Sequence, residues 1–174
     1  MNQKTLIGGA IGVVVAAVLL LSTLFTVHQT EQMLVVQFGK PVRVITEPGL
    51  HAKIPFIQNT ISFDRRLLDY EGTGEEVILA DQRRLIVDTF TRFRITDPLE
   101  YYQTVGFGEA AIRARLSSIV PSALRRVLGN EPLLAVLSAD RTRIMADIRD
   151  NVDREARRFG VAIEDVRIRR TDLP

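Results

Sequence analysis

Hydrophobic and polar positions divide the chain into three stretches. The first, Leu6 to Val27, reads LIGGAIGVVVAAVLLLSTLFTV and holds no charge, Pro, Asn or Gln. As a helix rising about 1.5 Å per residue it is roughly 33 Å long, enough for a hydrocarbon core of about 30 Å. A helix also satisfies its own backbone hydrogen bonds in lipid. A cleaved leader is the competing interpretation, but its apolar core runs about 7–15 residues and ends in a small-x-small site. Thr23-Leu24-Phe25-Thr26-Val27 offers no such site. The pattern predicts one transmembrane helix over 6–27. Lys4 lies on the short flank, while no Lys or Arg follows the helix until Lys40. The positive-inside rule therefore puts residues 1–5 in the cytoplasm and the main domain in the periplasm of a bacterial inner membrane, as a single-pass protein. Gly8 and Gly12 form a small-xxx-small pair through which two anchors could pack, although Gly is also simply tolerated in membrane helices.

The second stretch, to about residue 96, reads as β. Met33 to Phe38 is a short apolar strand, Gly39-Lys40-Pro41 its turn, and Val42 to Ile45 the returning strand. Glu47-Pro48-Gly49-Leu50 carries Pro then Gly at the centre of a turn, as type II requires. Ile54-Pro55-Phe56-Ile57 is apolar, but Pro55 demotes it to an edge or a loop, and a segment of this kind close to an anchor could sit at the lipid interface. Leu85 to Ile95 is the clearest strand. Leu85, Val87, Thr89, Thr91, Phe93 and Ile95 share one face, and Ile86, Asp88, Phe90, Arg92 and Arg94 the other. Asp97-Pro98 then stops it and caps a short helix through Tyr101 and Tyr102.

The third stretch has helical spacing. Glu109 to Leu128 puts Ile112, Leu116, Ile119, Val120, Leu124, Val127 and Leu128 on one stripe. Pro121 falls mid-helix and predicts a kink or a division into two helices. A second helix over 140–159 lines up Ile144, Ile148, Val152, Ala156 and Phe159, and Gly160 ends it. The final strand, Val161 to Arg169, alternates in two opposite phases, so a bulge is expected near Glu164-Asp165. The fold class is therefore α+β: an N-terminal transmembrane helix, then an antiparallel or mixed sheet with packed helices, as one compact domain or two small ones.

Composition narrows the chemistry. There is no Cys, so disulfides, zinc thiolates and cysteine nucleophiles are excluded. A net charge of +2 argues against a nucleic-acid surface. The two His residues, His28 and His51, lack metal-ligand spacing. Ser62, Ser117, Ser118 and Ser138 have no G-x-S-x-G setting, and none can be paired with Lys4, Lys40 or Lys53. Gly106-Phe107-Gly108 stands alone and reads as a connector. Asp88 and Asp97 suit turn and cap roles better than acid and base. The Arg residues of 141–158 interleave with Asp and Glu, the mark of a solvated or protein-contacting helix face. No catalytic residue, metal site or cofactor is expected, and the chain is not read as an enzyme.

One resemblance runs through nearly the whole sequence. It is carried by Val36-Gln37-Phe38-Gly39-Lys40, by Glu47-Pro48-Gly49-Leu50-His51 and by Lys53-Ile54-Pro55-Phe56-Ile57. Leu85-Ile86-Val87-Asp88, Arg94-Ile95-Thr96-Asp97-Pro98 and the closing Leu173-Pro174 continue it. The chain resembles the SPFH, or band 7, superfamily of stomatins, prohibitins and flotillins, with residues 28–174 as the SPFH domain. The resemblance implies that Phe38, Gly39, Pro48, Gly49, Leu50, His51, Lys53, Pro55, Phe56, Asp88 and Asp97 are structural motif positions. It implies a membrane scaffold: a hetero-oligomer with an HflK-like partner subunit, in contact with membrane lipid, regulating the AAA membrane protease FtsH. A stomatin-like homo-oligomer is the alternative, and a membrane-bound hydrolase a remoter one. Such chains continue past a Leu-Pro into a coiled-coil helix. This sequence stops at Pro174, so that C-terminal coiled-coil region is expected to be absent. An uninterrupted helix where Pro121 stands is also implied.

Overall fold

The apolar N-terminal stretch is not one element. In the computed structural model, which describes residues 3–138 and 140–172 and side chains over 11–138 and 140–169, helix α1 spans Gln3–Thr23 and strand β1 spans Leu24–Val27. The expected helix over 6–27 is corrected at its C-terminal end. Hydropathy cannot separate the two, but Leu24-Phe25-Thr26-Val27 is rich in aromatic and β-branched residues, and a partner strand is at hand. That partner is β4, Gly49–Ala52, paired antiparallel with Leu24 opposite Ala52 and Val27 opposite Gly49. Val27 is buried with Val35 and Ile45, so it belongs to a protein core and not to an anchor. Among the described residues no helix is long and apolar enough to cross a membrane. The side chains of Leu6 and Gly8 lie outside the described residues, as do Leu173 and Pro174.

The chain is α+β with antiparallel sheets and packed helices, and it divides into two compact units at Asp64 and Arg65. In the first unit β2 (Glu31–Gln37) is the centre of a three-stranded sheet between β3 (Lys40–Ile45) and β5 (Gln58–Asp64). Leu34, Val35 and Val36 are buried there. Pro48 is exposed, and the expected type II turn is replaced by a bend after which β4 begins at Gly49. Gly49 has φ 139°, a conformation open only to glycine.

In the second unit β7 (Arg84–Ile95) lies between β6 (Leu68–Ile78) and β8 (Val161–Asp172). The expected alternation holds: Leu85, Val87, Thr89, Thr91, Phe93 and Ile95 are all buried. Against β8, Arg92 pairs with Asp165 and Phe93 with Ile163. Glu164 is the extra residue, so the bulge sits where the change of phase required it. Helices α2 (Pro98–Thr104), α3 (Glu109–Leu128), α4 (Leu133–Leu137) and α5 (Arg141–Ala156) complete the unit. Buried stripes on α3 and α5 meet each other, with Ile112, Leu116 and Leu124 on one and Ile144, Ile148 and Val152 on the other. Pro121 lies inside one unbroken α3, so the two-helix alternative is corrected. Proline removes the N–H that the carbonyl of Ser117 would accept, and Ser117 lies on the exposed side of the helix.

Candidate functional site

Strand pairing in the first unit brings two turns and a helix end together. Because β4 runs antiparallel to β1, its C-terminus returns to the end of α1, and the Lys53 N–H donates to the Thr23 carbonyl at 2.8 Å. That bond satisfies one of the carbonyls a helix end leaves unpaired. The chain then turns through Ile54 to Ile57, closed by the Gln58 N–H donating to the Ile54 carbonyl at 3.0 Å. The Gln58 side chain accepts from the Ile54 N–H at 3.0 Å and donates to Gln37 Oε1 at 3.3 Å. Gln37 is the last residue before the Phe38-Gly39 turn between β2 and β3. Gln58 thus ties the Phe56 turn to the Phe38 turn, at the end of the unit where α1 stops.

The side chains these turns present are apolar and uncovered. Phe38 is 83% exposed and Phe56 87%, with Ile54 and Ile57 beside them. Both aromatics have a left-handed backbone, φ 49° at Phe38 and φ 66° at Phe56. Bulky residues are outliers there, at a cost of order 1–3 kcal/mol each. Neither ring repays that cost within its own unit. Strain and exposure together mark an outward-facing surface, whereas the motif resemblance made these residues structural.

Along α1 the described side chains from Ile11 to Leu21 are all exposed and apolar or small. Gly12 meets open space. The hydroxyl of Thr23 donates to the Leu19 carbonyl at 2.7 Å and that of Ser22 to the Val18 carbonyl, so neither needs water. A groove of about 510 Å³ opens next to the helix end, lined by Thr23, Val42, Arg43, Ala52, Lys53 and Ile54 among others. The Arg43 guanidinium spans it to donate to the Ala52 carbonyl at 2.7 Å. Arg43 and Val42 carried no signal in the sequence: one reads as a surface charge and the other as a strand residue.

The remaining motif positions fall in several places. Gly39 has φ 77° and completes the β2–β3 turn. Leu50 is 66% exposed on β4. His51 has its Nε2 2.9 Å from the Glu47 carbonyl and its ring 6.1 Å from that of Phe25. Pro55 is half-buried beside Phe56. In the second unit Asp88 Oδ1 accepts from the Gly74 N–H at 2.8 Å, at the bulge where β6 slips against β7. Asp97 Oδ1 accepts from Leu99 and Glu100 at 3.0 Å and caps α2, with Pro98 at its first position. Ser117, Ser118 and Ser138 donate to carbonyls of their own helices. Among the described residues no group of three or more His, Asp and Glu side chains is arranged to hold a metal.

A family model described as SPFH domain / Band 7 family matches residues 25–174. The chain belongs to this family. Similar proteins include Protein HflC of Treponema pallidum, 30% identical over 122 residues, which cover 70% of this chain and 37% of that protein. The Modulator of FtsH protease HflC of Escherichia coli is 28% identical over 145 residues, 79% of this chain and 43% of the relative. Stomatin-1 of Caenorhabditis elegans is 29% identical over 148 residues, 85% and 43%. The chain spans less than half the length of each of these three relatives. Several of these relatives are HflC proteins, so the resemblance to the SPFH superfamily is borne out, and within it the chain is similar to HflC.

Proposed function

We propose that the chain is a membrane-anchored SPFH scaffold subunit of the HflC kind, which assembles with an HflK-like partner and modulates the FtsH protease. The observation that carries the membrane part is the run of exposed apolar side chains on α1. A helix apolar on every side belongs either in a core or in lipid, and the side chains of this one from Ile11 to Leu21 are all exposed. The strained aromatic turns at Phe38 and Phe56 lie where that helix ends and would rest on the lipid interface. The protease part is supported by the relative named a modulator of FtsH protease. Residues 1–5 are cytoplasmic and the SPFH domain, residues 28–174, periplasmic in the inner membrane. The subunit acts by binding, without cofactor or catalytic residue.

A tagged chain solubilised from native membranes and analysed by mass spectrometry tests this. An HflK-like protein and FtsH should be recovered with it. A second reading, a stomatin-like homo-oligomer that organises membrane without a protease, draws on the similarity to Stomatin-1. Recovery of the chain with copies of itself alone would favour it. A hydrolase reading predicts activity lost on changing Ser62, Ser117, Ser118 and Ser138 to Ala. Each of the last three hydroxyls is bonded to a backbone carbonyl rather than to a base.

A further inference from the structure

The groove beside the end of α1 combines three properties rarely met on a protein surface. Its walls are apolar: Val42 is 56% exposed and Ile54 51%, over a floor formed by the buried Val35. Its rim carries two cations, Arg43 and Lys53. Its level is fixed by the bond from the Lys53 N–H to the Thr23 carbonyl, which places both cations beside the last turn of an exposed apolar helix. Water is a poor match for such walls, and a soluble anion has no use for them. An amphiphile with an acidic head and a hydrocarbon tail matches both.

We propose that this groove binds a phospholipid with an anionic headgroup, its phosphate between Arg43 and Lys53 and the start of an acyl chain along Val42 and Ile54. The inference rests on the anchor reading of α1. Arg43 uses one N–H on Ala52, and a guanidinium has five, so donors remain for a phosphate oxygen. Lys53 is a compact cation on a flexible stem and can follow the headgroup. The C-terminal end of α1 contributes about half a negative charge, which two full cations outweigh. The exposed apolar turn carrying Phe56 begins next to Lys53, so a tail leaving the groove continues over an apolar surface.

The test uses the full chain in nanodiscs of equal phosphatidylglycerol and phosphatidylcholine, extracted in mild detergent, with retained lipid counted by mass spectrometry. Phosphatidylglycerol should be enriched over phosphatidylcholine. The enrichment should fall roughly fivefold for each cation removed in Arg43→Gln and Lys53→Gln, at about 1 kcal/mol per basic residue near an anionic surface. Photoactivatable phosphatidylglycerol should label peptides within 40–58 of the unmodified chain, which keeps the question answerable if the double variant fails to fold. Equal retention of the two lipids, enrichment unchanged in the double variant, or labelling confined elsewhere overturns the proposal. Displacement of the lipid by excess inorganic phosphate alone identifies a free-phosphate site and also overturns it. A chain that does not enter nanodiscs at all refutes the anchor reading, whereas entry without enrichment refutes only the lipid site.

Discussion

The hydroxyl of Tyr101 donates to the carbonyl of Gly108 at 2.8 Å, joining α2 to the residue that begins α3. Tyr101 is fully buried, and Gly108 adopts φ 93° to present its carbonyl. Burial, and secondarily the negative charge of Glu109, pushes the phenol up to about 12. The folded protein therefore keeps this proton where the unfolded chain, with a phenol near 10, releases it. The contribution is whole below about pH 10 and is lost as pH rises toward 12, by on the order of 2 kcal/mol. Tyr101→Phe should cost about 1 kcal/mol near neutrality, from the lost bond. The advantage of the unmodified chain over the variant should then shrink above pH 10, vanish near about pH 11 and reverse by about pH 12. Denaturant unfolding of both proteins across that range checks it, and a constant difference would contradict the assignment.

Gly160 and Asp97 make a second close approach. The carbonyl of Gly160 accepts from the N–H groups of Thr96 and Asp97 at 2.9 and 3.0 Å. A Cβ on Gly160 would stand 2.3 Å from the Asp97 carbonyl oxygen, and φ there is 69°. Backbone on both sides leaves nothing flexible to move. Gly160→Ala should therefore cost about 1–3 kcal/mol or more. Gly39→Ala, at a comparable φ of 77° but in open space, should cost about 1 kcal/mol from conformation alone. Asp97→Ala removes a cap and should also cost about 1 kcal/mol. The unfolding midpoint of Gly160→Ala should fall below those of the other two, which should be similar, and a Gly160→Ala protein as stable as Gly39→Ala would show that the crowding is relieved.

Asp88 supports the β6 bulge through a single bond to the Gly74 N–H, at a position where Gly74 has φ 70°. Asp88→Ala leaves that N–H to water, because the site is exposed. The expected loss is about 0.5–1.5 kcal/mol, with Asp88→Asn recovering most of it, since an amide oxygen still accepts. Activity of the assembled protein should follow stability in both variants. A loss in Asp88→Asn well beyond its change in stability would give this carboxylate a chemical role.

Much of the second unit was legible because its elements carry long, regular patterns. The strict alternation of β7, the stripes of α3 and α5 and the cap at Asp97 each depend on local chemistry alone. Even the bulge at Glu164 followed from two runs of opposite phase. The first unit was less legible. β1 continues the hydropathy of α1 without a break, and only the pairing of Leu24–Val27 with Gly49–Ala52 separates them. Strands β5 and β6 gave no clear period, and α4 is a five-residue helix below the length at which a stripe forms. The motif at Phe38 and Phe56 was visible as a motif. Its physical meaning was not, because exposure and a left-handed φ are properties of the folded turn.

That exposure leads to opposite effects on stability and on membrane contact. Phe38 has φ 49° and buries little, so Phe38→Gly removes strain and should stabilise the chain by up to about 1 kcal/mol. If the turn rests on lipid, the same change removes an aromatic anchor. The chain contains no Trp, so each single Trp substitution is a clean reporter. Phe38→Trp and Phe56→Trp, in nanodiscs, should emit at shorter wavelength than in detergent-free buffer and be quenched by brominated lipid. Leu50→Trp is the comparison: it is also largely exposed, at 66%, but lies opposite Thr26 on β1, away from the end of α1. It should be quenched much less. Equal quenching at all three positions would mean that the whole unit lies against the bilayer. Quenching at none would separate the two aromatic turns from the membrane and leave their backbone strain without a function.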